Sequence, residues 1–246
     1  MDDIADPGRG DEAAEARLVA ALRADGFVRV QAEAMHALLG AAATSWRAFA
    51  ETWDDLGVDC YMADGGRYRR RRHAVFRLAQ GRIDRQPHQP HFQSRDYNQL
   101  NGGVERWFEA VLGAAASHPI LRRLLELGDE VFSAAEGRRP PTWRVEVHQF
   151  RIEAAEEIGR PTPEGFHRDG VDWVLVMLLE RTNVGEGVTE IGRPDGTSLG
   201  RFTLSRPGDA VLLDDRRVLH GVTPIHRLAP GAAAFRDVLV ITFIAT

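Results

Sequence analysis

From Thr142 to the C-terminus the chain is a string of short apolar runs cut by turns, and this punctuation limits what it can become. Val145, Val147 and Gln149 alternate with Glu146, His148 and Phe150, the period of a strand. Further runs follow at Val171 to Leu179, Val188 to Ile191, Phe202 to Leu204, Ala210 to Leu213, Val218 to Val222 and Val238 to Ile244. Asn183 to Gly187, Pro194-Asp195-Gly196, Pro207-Gly208-Asp209 and Pro230-Gly231 separate them with residues that accept turn dihedrals. About seven or eight short strands broken in this way predict a double-sheet jelly roll or a related barrel.

The first half has a different pattern. Residues 1–11 are acidic and glycine-containing, a loose tail. Leu18, Val19 and Leu22 predict a helix over Glu12 to Ala24, with Gly26 as its stop and Phe27 to Val30 as a short strand. Met35, Leu39, Ala42, Trp46, Phe49 and Trp53 fall on one stripe, which predicts a core-facing helix over Ala34 to Trp53. Residues 58–102 form a long polar connection, with one hairpin around Arg67 to Leu78. Helical pattern returns at Val104 to Ala116 and Ile120 to Ala134. The expected architecture is α+β: one domain over 1–246, with a helical, loop-rich part at 1–141 packed on a jelly-roll core at 142–246. No internal repeat divides it.

Composition, 43% hydrophobic and 27% charged, is that of a globular chain able to bury a core. All 31 basic residues are arginine, which suggests a GC-rich genome. The net charge of −5 argues against nucleic acid as a partner, since a phosphate backbone needs a basic face. Five arginines between Arg67 and Arg72 are the local exception, and a solvated basic face is the plain reading of most of them. The single cysteine, Cys60, excludes an internal disulfide. The N-terminus shows no apolar signal region, and no run is long enough to span a bilayer, so a cytoplasmic protein is expected.

Chemistry concentrates at Pro161 to Met177. His167 and Asp169 stand two apart before a β-branched run, so an extended chain turns both to one face. His-x-Asp alone is a weak signal. His220, inside the apolar run Val218 to Val222, would more often be a core histidine; paired with the upstream triplet it completes two imidazoles and one carboxylate. That set covers one face of an octahedral Fe(II) and leaves the other open. Arg236 opens the last strand; facing inward it would need a partner and could clamp a carboxylate with two N–H bonds, while the plainer alternative is a strand-end arginine reaching out to solvent. Arg227 competes for that role. Inward-facing, His148 would reach the site; Asp214 and Asp215 fit a turn.

His167-x-Asp169, His220 and Arg236 together resemble the pattern of the Fe(II)- and 2-oxoglutarate-dependent dioxygenases with the double-stranded β-helix (jelly-roll, cupin-like) fold. Asp64-Gly65-Gly66-Arg67-Tyr68-Arg69, Phe92-Gln93-Ser94, Asn98, Gly102-Gly103 and Pro163 to Gly170 are similar to the bacterial branch that includes the L-isoleucine dioxygenases. The resemblance covers about residues 60–246. Val238 departs from the wider superfamily, where a serine or threonine often follows the arginine by two.

The resemblance implies Fe(II) on His167, Asp169 and His220, with 2-oxoglutarate chelating the metal, its far carboxylate on Arg236, and O₂ as the other co-substrate. It implies hydroxylation of an unactivated C–H of a free L-amino acid, with succinate and CO₂ as co-products. Asp169 favours hydroxylation over halogenation, because related halogenases lack this carboxylate. Arg67, Tyr68 and Gln93, in the family-like segments, are the expected substrate contacts. A peptide, carrier-bound or natural-product substrate on the same iron chemistry is the second reading, and a jelly-roll protein without catalysis the third. Dimerisation is left open.

Overall fold

The computed structural model describes residues 7–154 and 158–246. Helix α1 (Pro7–Asp25) leads into strand β1 (Phe27–Val30), helices α2 (Ala32–Leu39) and α3 (Ala43–Ala50), and the hairpin of β2 (Arg69–Ala79) and β3 (Arg82–Arg85). Helices α4 (Gly113–Ala116) and α5 (Pro119–Glu136) follow, then β4 (Trp143–Glu153) and β5 (Trp173–Thr182). The chain continues through β6 (Val184–Glu186), β7 (Val188–Gly192), β8 (Ser198–Thr203) and β9 (Ala210–Asp214). It closes with β10 (Leu219–Val222), β11 (Ile225–Arg227) and β12 (Phe235–Ala245).

Gly26 ends α1 as expected: at φ +79° its N–H donates to the Leu22 carbonyl, a conformation that favours glycine. The helix begins earlier than its periodicity suggests, at Pro7; the remainder of the expected tail, residues 1–6, lies outside the described residues. The single helix expected over Ala34 to Trp53 is two helices and a 3₁₀ turn. Gly40, left-handed at φ +57°, caps α2 through its N–H to the Ala37 and His36 carbonyls. Met35, Leu39, Phe49 and Trp53 are nonetheless buried in one cluster with Trp46 packed against it, whereas Ala42, at the break, is exposed. Val104 to Leu112 is not helical; only α4 forms there.

The main sheet has seven strands in the order β1-β9-β5-β12-β4-β2-β3. Three of them come from the first half, which is therefore not only helical and loop-rich. β2 is an interior strand, paired with β4 from Arg69↔Ile152 to Leu78↔Trp143. Strand alternation gives this sheet two buried faces. Outward, Ala74, Phe76, Val145, Val147, Ile241 and Phe243 join Leu22, Met35, Phe49 and Leu124 of the helices in one core. Gly128 of α5 sits so close to Phe243 that a Cβ there would lie 2.3 Å from the ring. Inward, Val174 and Leu213 pack with Ile191 and Val218, and Leu178 and Val238 with Leu204.

A three-stranded sheet β10-β7-β8 and the ribbon β11-β6 form the second layer, antiparallel throughout. The two layers make the expected double-stranded β-helix, with the helices on the outer face of its larger sheet. Among the described residues no helix is long and apolar enough to cross a membrane.

Candidate active site

A cavity of about 360 Å³ opens between the two layers, a size suited to small molecules. His167, Asp169, His220, Arg236 and Gln93 all line it. The backbones of His167 and His220 form an isolated antiparallel bridge, and their ring centroids lie 4.5 Å apart. Asp169 sits between the rings: its Oδ1 is 3.5 Å from His167 Nε2 and its Oδ2 3.5 Å from His220 Nε2. Three donor atoms able to hold a metal thus fall within 4.8 Å of one another.

Hydrogen bonds fix the loop that carries His167 and Asp169. His167 Nδ1–H donates to the Gly165 carbonyl at 3.0 Å, which turns Nε2 toward Asp169. Gly170 has φ +81°, and a Cβ there would meet the Tyr97 ring at 2.4 Å. Buried Asp215 accepts the N–H groups of Asp169, Gly170 and Val171 at 2.9, 2.7 and 3.1 Å, so it does more than fill a turn. Burial and the Asp169 charge raise the Asp215 pKa. Burial would raise that of Asp169 too, but the two imidazoles outweigh it and hold the carboxylate well below its usual range. The His167 pair with Asp169 overcomes burial in the same way and lifts the imidazole to about 9.

Arg236 is 2% exposed, and its Nε and Nη2 have no hydrogen-bond partner among the described residues. Burial, then repulsion from Arg181, pushes its pKa down to about 10, still cationic at neutral pH. A buried guanidinium with free N–H groups in a cavity wall is built for an anion. The rival Arg227 is exposed on β11 and lies off the cavity.

Of the expected substrate contacts, the structure brings only Gln93 to the cavity. Gln93 Nε2 donates to the Asp169 carbonyl at 3.1 Å, and its Oε1 accepts from Asn98 at 3.1 Å and from Arg106 at 3.4 Å. Arg67 is exposed and Tyr68 turns its hydroxyl to Asp64 at 2.6 Å; neither lines the cavity. The basic run is not a solvated face. Arg69 and Arg71 are buried over the cavity around Asp59, and Arg72 is buried against Asp55 and Glu109.

Of a second polar group, the sequence pointed only to His148. Glu146 Oε2 accepts from His73 at 3.1 Å and His91 at 2.6 Å, and its Oε1 accepts from Arg144 at 2.7 Å. His148 faces inward, 3.6 Å from Glu146. These four side chains cluster tightly enough to hold a metal. The guanidinium of Arg71, which can only donate, lies 2.7 Å from His148 Nδ1. Neutral His148 must therefore carry its proton on Nε2, the atom that would bind a metal, and two guanidiniums already flank the group. It is better described as a hydrogen-bonded carboxylate than as a cation site. Burial opposes the charge on Glu146, but the hydrogen bonds from His73 and His91 hold its pKa far below the usual range. Glu146 and His148 alternate on β4 as His167 and Asp169 do on their loop, the one signal that could have found Glu146 too.

A jelly-roll cavity with two histidines and a carboxylate converging in its wall defines the class of non-haem iron oxygenases. The family model for the 2OG-Fe dioxygenases matches residues 50–242, and the chain belongs to that family, whose chemistry uses Fe(II), 2-oxoglutarate and O₂. Among solved structures, it is similar to a bsmA homolog from Methylobium petroleophilum PM1, with 38% identity, TM-score 0.87 and 94% of this chain and 93% of that one covered. It is 26% identical to the L-isoleucine-4-hydroxylase of Bacillus thuringiensis over 62% of this chain and 64% of that protein. It is 25% identical to the 3(1)-hydroxy-L-isoleucine 4-dioxygenase of Pantoea ananatis (strain AJ13355), over 63% of each. The matched segment thus spans less than two thirds of either curated relative.

Proposed function

We propose that this protein hydroxylates an unactivated C–H bond of a free L-amino acid or close analogue. One oxygen atom of O₂ enters the C–H bond; the other enters 2-oxoglutarate, which leaves as succinate and CO₂. The observation that carries the reading is the convergence of His167, Asp169 and His220 on the cavity that also holds the unpaired Arg236. The names of the two curated relatives support the amino-acid substrate.

In this reading His167 Nε2, His220 Nε2 and an Asp169 oxygen hold Fe(II), and their neutral-imidazole and carboxylate chemistry fits that ion. Iron bound there supplies the oxidation of the C–H bond. The protein's own residues do the rest. Asp215 holds the ligand loop by three backbone bonds, and Gln93 ties the substrate wall to Asp169. Arg236 clamps the far carboxylate of 2-oxoglutarate. Apolar Val176, Val238 and Val240 line the cavity and keep water from the reacting bond.

The test is anaerobic reconstitution with Fe(II), followed by 2-oxoglutarate, O₂ and the standard amino acids with ornithine and citrulline. A mass gain of one oxygen on an amino acid, matched by succinate, is expected. Succinate that never exceeds the substrate-free background with any of them would refute the amino-acid reading.

A further inference from the structure

The charged groups around the cavity can be taken in turn by what they are bonded to. Arg69 and Arg71 share Asp59, at 2.7 and 3.8 Å. Glu146 is satisfied by His73, His91 and Arg144. Asp169 lies between His167 and His220. Two guanidiniums and one carboxylate oxygen are left. Among the described residues, Arg106 and Arg236 are the buried arginines with no carboxylate in ion-pair range. Glu164, also in the cavity wall, has a buried Oε2 with no hydrogen-bond partner.

Arg106 is 2% exposed, its Nε is unpartnered, and its side chain makes one long hydrogen bond, 3.4 Å, to Gln93. Among the described residues its other close neighbour is the Phe108 ring, 5.8 Å from its guanidinium carbon, while Asp59, Glu164 and Glu146 act on it beyond ion-pair range. A buried guanidinium so poorly satisfied is destabilising unless an anion arrives. Arg236 meets the carboxylate of 2-oxoglutarate, which leaves Arg106 for the second molecule. Glu164 has the opposite need. Its Oε1 is 3.5 Å from His167 Nε2, so it stands beside the metal ligands, while Oε2 waits for a donor.

We infer that Arg106 and Glu164 form a zwitterion clamp: Arg106 takes the substrate's carboxylate and Glu164 its ammonium. The inference rests on the amino-acid reading above and names the residues that enforce it. One cation and one anion match a neutral zwitterion. A dicarboxylate would leave one of its charges unmatched, and a peptide-bonded residue would lack one partner at each end. Gln93 couples the clamp to the metal site, since its Oε1 accepts from Arg106 and its Nε2 donates to the Asp169 carbonyl.

The test is anaerobic calorimetry on protein loaded with Fe(II) and 2-oxoglutarate. The twenty L-amino acids are titrated first, then the des-amino acid and the decarboxylated amine of the tightest binder. Arg106→Met should weaken the amino acid and the des-amino acid by roughly 30-fold or more, and the amine little. Glu164→Gln should weaken the amino acid and the amine and spare the des-amino acid. Arg106→Lys and Glu164→Asp, which keep the charges, should recover part of the loss, and thermal melts confirm that each variant is folded. If both variants weaken all three ligands equally, or none, the clamp is wrong while the amino-acid reading stands. If wild type binds no amino acid, both fall together.

Discussion

His167 and His220 exchange both backbone hydrogen bonds, each N–H donating to the other's carbonyl at 2.9 Å. Residues 53 positions apart are thereby locked in register before any metal arrives. The rings are brought together by this backbone pairing.

Asp215 should matter to iron although it is not itself among the converging donors. Asp215→Asn replaces one carboxylate oxygen with an NH₂ group that cannot accept the bonds from Gly170 and Val171. Fe(II) affinity should fall about 10- to 100-fold with the fold retained, as when other groups that orient metal ligands are lost. Equilibrium titration of the metal, alongside circular dichroism, checks this.

Removing the Arg236 guanidinium should act on 2-oxoglutarate. Arg236→Met should raise the KM for 2-oxoglutarate by about 30-fold or more, the effect of losing one partner of a buried charge pair. Steady-state succinate formation with varied 2-oxoglutarate measures it. An unchanged KM would rule Arg236 out as the clamp.

Gly170 carries a positive φ of +81° and faces the Tyr97 ring. Gly170→Ala should cost about 1–2 kcal/mol from the left-handed backbone alone. Moving Tyr97 aside adds to that and displaces the adjoining Asp169. A lower melting temperature with disproportionately weak iron binding is the expected result.

Acid should destabilise the metal-free protein early. Burial, helped by the charge of Arg71 and opposed by Glu146, pushes the His91 pKa down to about 4. Unfolded histidine titrates near 6.5. Between those values the unfolded chain binds more protons, so this contribution is whole above about pH 6.5 and is lost as pH falls toward 4. His91 alone is worth on the order of 3 kcal/mol across that window. His73 and His148 shift in the same direction. Urea denaturation between pH 7 and 4.5 should show the fall, and His91→Gln should flatten it.

Local features of the chain carried much of the outcome. Gly26 and the run Phe27 to Val30 fall where the sequence places them, because a left-handed stop and a β-branched run act on neighbours. His167 and Asp169 were marked by their spacing, though the structure brings them together on a loop held by Asp215 and not on a strand, and Arg236 stands out as a charge in an apolar strand. The partners of charges were beyond reach. Arg69, Arg71 and Arg72 look like a solvated run, yet Asp59, Asp55 and Glu109 let them be buried in a strand that is interior to the sheet. Gly40 divides a helix whose stripe ran on unbroken. Arg106 and Glu164 give no periodic or spacing signal at all. Spacing determines which side chains share a face; only the closed sheet decides which charges are paired and which stay free, because a charge's partner is set by distance through the fold and not along the chain.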